Sequence, residues 1–328
     1  SVGNIAISKI EACVNQACCC IRTDNQNDLK FMYYWIYMCK SDFLRVSEGG
    51  GQPNISQAKI RNQYYMQPPL AEQRRIADFL DTKCAEIDAL TADIQTQIDT
   101  LEQYKRSVIT EAVTKGLNPD AEMKDSGIEW IGEIPATWNI IRGKYLLKYL
   151  QKPVKEDDGV ITCFRDGEVT LRSNRREDGF TMSDKEIGYQ GIDAGDLVVH
   201  GMDGFAGAIG ISDSRGKASP VLNVMDTKQN KRYIMYYLRS MAYSDVFVAL
   251  ATGIRVRSCD LRWNKLADLP YPVPSIEEQT AIVEYIDTTL EKTDVVISKK
   301  KAQLETLDEY KKSLIYEYVT GKKEVPSI

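Results

Sequence analysis

The feature that most constrains this chain is an internal duplication. Residues 72–114 align with residues 278–320 without a gap, at an offset of 206 positions, and 16 of the 43 aligned pairs are identical. Chance does not produce such a match, so the two segments are expected to fold alike. A fainter match continues upstream, where residues 3–8 parallel 207–212 and residues 32–34 parallel 235–237. The pattern predicts one complete repeat unit, preceded by a unit that lacks its front half.

The second half of each unit is predicted to be a long helix. Apolar residues recur every seven positions, which is the pattern of a coiled-coil seam. The seam residues are Leu80, Ile87, Ile94, Ile98, Leu101 and Val108 in the first copy, and Ile286, Leu290, Ile297, Leu304, Leu307 and Leu314 in the second. At about 1.5 Å per residue, each rod would be roughly 65 Å long. The stripe is too narrow for either helix to be stable alone, so we expect each to pack on the other.

Short signals mark the ends of these helices, and two residues interrupt the second seam. Ser275, three residues before Glu278, is typical of a helix start, and Gly116 and Gly321 are typical of helix ends. Thr293 and Lys300 occupy seam positions, which argues against a long uniform homodimeric zipper. A generic coiled-coil spacer remains the alternative interpretation, but the duplication argues against it.

The first half of the complete unit, residues 137–272, has a different character. It holds most of the glycine and several short β-type runs separated by turn formers, such as residues 160–162 and 196–200, and residues 234–250 look like an amphipathic helix. We predict a mixed α/β globular domain, with residues 1–67 as a partial counterpart. Residues 130–272 and residues 1–67 each carry a net charge of +2, whereas the helices with their flanks (68–129 and 273–328) carry −9. A basic globular part on an acidic frame favours contact with nucleic acid, although +2 alone is weak support.

Composition argues against several kinds of catalytic site. The chain has a single histidine, His200, which disfavours a histidine-rich metal centre and a Cys/His hydrolase. His200 is expected to be a packed or hydrogen-bonded residue of its strand. No phosphate-binding loop, methyltransferase motif or glycine-rich cofactor loop is present, so we do not expect an enzyme.

The cysteines and the hydropathy indicate the compartment. Eight cysteines form no CxxC pair and are expected to be reduced thiols. Residues 18–20, all cysteine, align with an apolar strand at 222–224, and burial is therefore favoured over metal binding. No secretory leader or membrane-spanning run is recognisable, which predicts a cytoplasmic location.

Several motifs resemble the specificity subunits of type I restriction-modification systems. They lie at residues 68–73 and 272–279 before the two helices, at 125–138 (Ile128-Glu129-Trp130-Ile131-Gly132-Glu133-Ile134-Pro135-x-x-Trp138), at 163–176 and at 195–210. The resemblance covers essentially the whole chain, and the order of recognition domain, rod, recognition domain, rod is its most specific part. It implies an α+β fold in which globular target recognition domains alternate with two long helices packed as an antiparallel coiled coil.

The resemblance also implies a domain plan. The expected parts are the back of a first target recognition domain (1–67), a first long helix (68–118), a linker (119–136), a second target recognition domain (137–272), a second long helix (273–322) and a tail (323–328).

The function that the resemblance implies is non-catalytic. Such a subunit reads a bipartite sequence in double-stranded DNA, and rod length sets the spacing of the half-sites. It docks methyltransferase subunits and restriction subunits, and a shortened chain could pair with a second copy of itself. S-adenosylmethionine, ATP and Mg would belong to the partner subunits, with no cofactor in this chain. A coiled-coil interaction scaffold without DNA contact is the alternative.

Arginines are the candidate DNA contacts, because a guanidinium serves both phosphate positioning and bidentate guanine recognition. The candidates are Arg165, Arg172, Arg175, Arg176, Arg255, Arg257 and Arg262. For any one of them, a solvated surface charge is an equally good interpretation. The clusters at 171–176 and 253–257 favour DNA contact, and removing the charges of Arg175 and Arg176 is predicted to weaken DNA binding and its salt dependence.

Overall fold

The computed structural model of the protein describes residues 4–11, 13–15, 18–46, 55–175, 187–250 and 261–326. The chain divides into two compact units. The first unit contains residues 1–99 and 296–328, and the second unit contains residues 100–295. Each long helix has one part in each unit. The two units are therefore described in turn.

The first unit is helical. Helix α1 (Leu29–Met38) starts where the Asp28 carboxylate accepts hydrogen bonds from the next backbone N–H groups, which satisfies donors that a helix start leaves free. It is followed by α2 (Lys40–Val46), α3 (Gln57–Arg61) and the long helix α4 (Leu70–Lys115). Phe31, Tyr34 and Trp35 bury the inner face of α1, in a core that includes Leu80 of α4 and Ile315.

The second unit holds the β-structure. Its elements in chain order are β1 (Met123–Asp125), β2 (Glu133–Pro135), β3 (Asn139–Arg142), α5 (Gly143–Leu146), β4 (Leu147–Tyr149), β5 (Ile161–Cys163), β6 (Val169–Leu171), β7 (Gln190–Ile192), β8 (Leu197–His200), β9 (Ile209–Ile211), β10 (Gly216–Ala218), β11 (Leu222–Thr227), α6 (Lys231–Tyr243), α7 (Val246–Ala249), α8 (Trp263–Asp268), β12 (Pro270–Val273) and the long helix α9 (Ile276–Val319).

A four-stranded antiparallel sheet in the order β4-β11-β8-β9 is the centre of the second unit. Two-stranded pairs surround it, joining β1 with β2, β5 with β6, β7 with β10, and β3 with β12. The amphipathic helix α6 buries Tyr233, Ile234 and Leu238 in a core shared with Val199 and Met225 of the sheet. The same core contains the end of α4 and the beginning of α9.

The long helices begin and end near the predicted signals. The Ser275 hydroxyl accepts the Glu278 backbone N–H at 3.2 Å, as a helix N-cap does. Gly116 and Gly321 follow the last helical turns with φ of 72° and 69°, a left-handed conformation that favours glycine. At Gly116 a Cβ atom would also meet the Trp138 ring at 3.2 Å and the Glu278 carboxylate at 3.3 Å. Helix α4 therefore ends against the segment that precedes β3.

Within each unit the two long helices run antiparallel. In the first unit Phe79 packs on Tyr318 with ring centroids 4.5 Å apart, and Lys311 Nζ lies 2.6 Å from the Asp88 carboxylate. In the second unit Lys105 Nζ lies 2.6 Å from the Asp294 carboxylate. Residue numbers rise along α4 as they fall along α9. The predicted fold class, with globular α+β parts and an antiparallel helix pair, is confirmed.

The seam residues lie on the covered side of these helices. Leu80, Ile87, Ile98, Val108, Ile286, Ile297 and Leu314 are buried. Ile94, Leu101, Leu290, Leu304 and Leu307 are partly buried. The interrupting residue Thr293 is also buried. Its hydroxyl can be buried because it donates to the Thr289 carbonyl at 2.7 Å. Lys300 donates to the Gln97 side chain.

Two expectations from the sequence were wrong. The predicted helix over 234–250 is two helices, α6 and α7, because the chain turns at Asp245, whose φ is 54°. Cys18, Cys19 and Cys20 are exposed and form no strand. Their aligned counterpart, β11, is buried because β4 and β8 pair with its two edges, and no described strand pairs with residues 18–20.

Candidate nucleic-acid interface

Each long helix begins with a buried glutamine that holds the preceding globular helix. Gln73 accepts the Asp28 backbone N–H at 2.8 Å, and its amide donates to the Pro68 carbonyl at 2.8 Å. Gln279, its counterpart 206 positions on, accepts the Asn230 N–H at 2.9 Å and donates to the Pro274 carbonyl at 2.9 Å. Both glutamines are fully buried. We call this arrangement the glutamine socket; it orients α1 in the first unit and α6 in the second.

A second duplicated contact lies two turns further along each long helix. Asp81 accepts the Tyr34 hydroxyl at 2.8 Å and pairs with Lys30 at 2.6 Å. In the second unit Asp287 likewise accepts the Tyr236 hydroxyl and pairs with Arg232, both at 2.5 Å. Burial and the bond to Asp287 raise the pKa of Tyr236 to about 12, so it stays a donor at neutral pH.

These contacts correct the alignment of α1 with α6. Sequence identity matched Tyr33 with Tyr236, an offset of 203. The tyrosine that makes the equivalent contact is Tyr34, an offset of 202. One residue moves a side chain by about 100° around a helix. The equivalent contacts, rather than the identical residues, therefore define how α1 aligns with α6.

The β5–β6 hairpin brings three predicted arginines together. Arg165 in its turn pairs with Asp203 at 2.8 Å. Arg175 lies over the Phe164 ring, 4.2 Å from its centroid, and pairs with Asp166 at 2.7 Å. Arg172 donates from Nε to the Thr162 hydroxyl.

The carboxylates around this hairpin neutralise part of its positive charge. Arg175 also pairs with Glu168, at 3.1 Å, while Arg165 keeps 61% of its side chain exposed. DNA phosphates at this surface would therefore have to replace existing partners. The exposed Arg165 needs the smaller rearrangement of the two.

Of the other predicted arginines, the structure describes Arg262, which is not part of the hairpin. Arg262 is exposed and precedes the first residue of α8, where its carbonyl accepts the Lys265 N–H at 2.9 Å. Arg176, Arg255 and Arg257 lie outside the described residues.

His200 organises the loop beside the hairpin. Its Nδ1 accepts the backbone N–H groups of Met202 at 3.2 Å and Asp203 at 2.9 Å. Burial lowers the pKa of His200, so the imidazole is neutral at pH 7 and its Nδ1 stays an acceptor. The expectation of a hydrogen-bonded histidine is confirmed, and the histidine holds the backbone of Asp203, whose carboxylate pairs with Arg165.

A network of five charged side chains connects loops of the second unit. Lys152 lies 2.7 Å from Asp193 and 2.6 Å from Asp196. Arg215 donates twice to Asp158, at 2.9 and 2.7 Å, and once to Asp193, at 2.7 Å. The bond from Arg215 lowers the pKa of Asp158 to about 2, and the bonds from Lys152 and Arg215 lower that of Asp193 to about 2. This network ties three loops together.

Sequence reasoning missed a cationic cluster on the same unit. The guanidinium carbons of Arg106 and Arg239 lie 5.3 Å and 5.8 Å from the centroid of the Tyr243 ring. Arg239 also donates to the Tyr243 hydroxyl and to the Asp166 carbonyl, in the turn of the hairpin. Among the described residues no carboxylate pairs with either guanidinium. The four-residue spacing of Arg239 and Tyr243 on α6 was the available signal, but Arg106 is far away in sequence.

The part of the chain that the structure describes contains neither a metal site nor a membrane-spanning helix. No group of three or more His, Cys, Asp or Glu side chains is arranged to hold a metal ion. No described helix is long and apolar enough to span a membrane.

The chain is similar to proteins of known type. Residues 1–100 match the family model of the type I restriction modification DNA specificity domain. The MjaVIII type I restriction enzyme specificity subunit of Methanocaldococcus jannaschii is 24% identical over 315 residues, which span 91% of this chain and 71% of that protein. Along most of its length the chain is therefore similar to type I specificity subunits, which are non-catalytic.

Two further proteins show the same likeness. The EcoBI specificity subunit of Escherichia coli is 24% identical over 341 residues, covering 95% of this chain and 69% of that protein. A chain from a solved type I restriction-modification system, described for its assembly and conformational transition, has a TM-score of 0.63 at 14% identity. It covers 88% of this chain and 70% of that one, and shows a shared fold.

Proposed function

We propose that this chain reads double-stranded DNA for a type I restriction-modification complex, at a target divided into two half-sites. The observation that carries the proposal is the reciprocity of the long helices. Lys105 and Lys311 are repeat counterparts, as are Asp88 and Asp294, and each lysine pairs with the aspartate of the other copy. Each helix also carries the same glutamine socket. Duplicated supports of this kind suit a protein that presents two recognition elements to one duplex.

The DNA-facing surface in the second unit would be the β5–β6 hairpin with its neighbouring cluster. Arg165, Arg172 and Arg175 lie on or just after the hairpin, and Arg239 bonds to its turn. Arg176, Arg255, Arg257 and Arg262 stay candidates for the same role. Because carboxylates already neutralise part of the hairpin, we expect DNA phosphates to replace them as partners of the arginines when DNA binds.

The partners would be methyltransferase and restriction subunits, which would bring S-adenosylmethionine, ATP and Mg. A surface that occurs on both long helices supports docking of one kind of partner subunit at two places. Tyr104 and Tyr310, counterparts at the 206 offset, are 47% and 55% exposed although both are large aromatic residues. Aromatic side chains of this kind are frequent anchors at protein interfaces.

The proposal is tested by reconstituting the chain with a type I methyltransferase subunit. We expect methylation at two short sequences separated by a fixed gap, and a footprint of the same form. Tyr104→Ser and Tyr310→Ser should each weaken capture of the methyltransferase, whereas Tyr285→Ser, an exposed tyrosine that Phe79 replaces in the other copy, should not. A complex that assembles but ignores DNA would favour an interaction scaffold instead.

A further inference from the structure

The residues just before α4 have no strand partner among the described residues. Residues 64–67 correspond to β12 at the 206 offset, an equivalence supported by Tyr65 with Tyr271 and by the glutamine sockets. In the second unit β12 pairs with β3. Residues 64–67 pair with no strand in the described part of the chain, and Tyr64 and Met66 are 91% and 52% exposed.

The second unit shows which backbone groups this edge offers. The carbonyls of Pro270 and Pro272 accept the hydroxyls of Tyr237 and Tyr233 on α6, so they face away from β3. The Leu269 carbonyl accepts the Gly143 N–H, on the β3 side. Alternate residues of a strand face opposite edges. Tyr271 and Val273 therefore face β3, and their counterparts Tyr65 and Gln67 present N–H and carbonyl groups at the unpaired edge.

A buried hydroxyl marks the same place. The Tyr65 Oη atom is buried and has no hydrogen-bond partner among the described residues, whereas the Tyr271 Oη donates to the Leu266 carbonyl at 3.3 Å. The Tyr65 ring packs on Trp35 with centroids 5.3 Å apart, much as Tyr271 packs on Tyr237 at 5.2 Å. A buried polar atom without a partner is rare and destabilising. The tyrosine is thus placed as its counterpart is, but its surroundings are incomplete.

In the second unit the strand that pairs with β12 is β3, and the residues on either side of β3 make specific contacts. A Cβ at Gly143, just after β3, would lie 2.9 Å from the Tyr271 ring, so this glycine lets the chain close over the tyrosine. Trp138, just before β3, donates its indole N–H to Glu278 at 3.0 Å. Glu72, the counterpart of Glu278, now pairs with Arg75 on its own helix at 3.1 Å.

We propose that residues 64–67 are an acceptor edge for a donor strand of the β3 type. The donor carries a tryptophan, an extended run rich in β-branched residues and then a glycine, as at residues 138–143. It pairs antiparallel with Tyr65 and Gln67 and places its indole on Glu72. These 328 residues contain that pattern once, and the second unit already uses it, so the donor comes from outside them. This inference does not depend on DNA reading.

The test uses a fluorescein-labelled peptide of residues 136–148 and the full chain. We expect the peptide to bind, as measured by fluorescence anisotropy. N-methylation at Ile141 removes an N–H that faces the acceptor and should weaken binding about tenfold, whereas N-methylation at Ile140 should leave it within about twofold. The two peptides have the same composition, so only the direction of one N–H differs between them.

Protein variants locate the binding site on the chain. Gln67→Pro removes an N–H from the acceptor edge and should weaken peptide binding, whereas Met66→Pro removes an N–H that faces the other way and should not. If Gln67→Pro fails to fold, the two methylated peptides decide the matter on the unchanged chain. Absence of binding, or equal binding of both peptides, would overturn the proposal. A dimer in sedimentation that Gln67→Pro abolishes would overturn it too, because the edge would then pair with a second copy.

Discussion

Individual charges in the second unit differ in what they are available to do. Arg175 is held by two carboxylates and an aromatic ring, whereas Arg106 and Arg239 share the Tyr243 ring and pair with no described carboxylate. Two neighbouring cations that no described carboxylate neutralises favour an anion, and in the proposed DNA-reading role that anion is phosphate. We therefore expect the cluster to contribute to the salt dependence of DNA binding.

Arg106 provides a matched test of that expectation. Arg106→Gln should weaken DNA binding at every sequence and reduce the slope of log K against log salt by about 1, since one phosphate contact is lost. Its repeat counterpart Lys312 pairs with Asp308 at 2.5 Å, and Lys312→Gln should change the slope less. Binding isotherms across a salt series measure both, and equal slopes for the two variants would exclude a special role for Arg106.

The ion network makes the second unit sensitive to acid. Asp158 and Asp193 have folded pKa values of about 2, below the ordinary 3.8, so their stabilisation is present above pH 4 and is lost as pH falls toward 2. Arg215→Met should flatten this acid limb in urea unfolding followed by circular dichroism. Arg165→Met, which removes a surface pair, should leave the loss of stability at low pH unchanged. If Arg215→Met also left it unchanged, the ion network would not be its source.

At the scale of elements, the glutamine sockets attach globular helices to the rods. Gln279→Leu leaves the Asn230 N–H and the Pro274 carbonyl without their partner and should cost about 1–3 kcal/mol in the free energy of unfolding. Gln73→Leu should cost a similar amount. Gln303→Leu, at an exposed position on α9, should stay within about 0.5 kcal/mol. Denaturant unfolding of the three variants compares them directly.

The elements differ in how well the sequence predicts them. The long helices follow from a seven-residue period and local caps, and both signals are contained within the segment itself. The break between α6 and α7 depends on one backbone angle at Asp245, which no hydrophobic pattern reveals. The exposure of Cys18–Cys20 depends on which strands pair beside them. Burial that requires a distant partner cannot be inferred from a segment alone.

The candidate site shows the same limit. The arginines of the β5–β6 hairpin are neighbours in sequence, and a cluster could be predicted from their spacing. The pairing of Arg165 with Asp203, and of Arg106 with Tyr243, joins residues that are far apart in the chain. Those contacts decide which charges are neutralised, and they appear only once the fold is known.

At the scale of the whole molecule, rod length should control the distance between half-sites. Inserting one heptad at equivalent seam positions, after Gln97 in α4 and after Gln303 in α9, preserves the register of both helices and adds about 10.5 Å of helix. At 3.4 Å per base pair this is about 3 base pairs of extra gap. Sequencing of methylated sites measures the gap; a longer rod with an unchanged gap would contradict the role of the rods.

The crossed lysine–aspartate pairs have a consequence for how the two halves of the gene can change. Lys311 of the second copy meets Asp88 of the first, and Lys105 of the first meets Asp294 of the second. A substitution in one copy is therefore compensated in the other copy, not beside itself. Substitutions in one copy are therefore expected to be matched by substitutions in the other copy. Recombination between distant relatives would separate matched charges even when every domain is inherited whole.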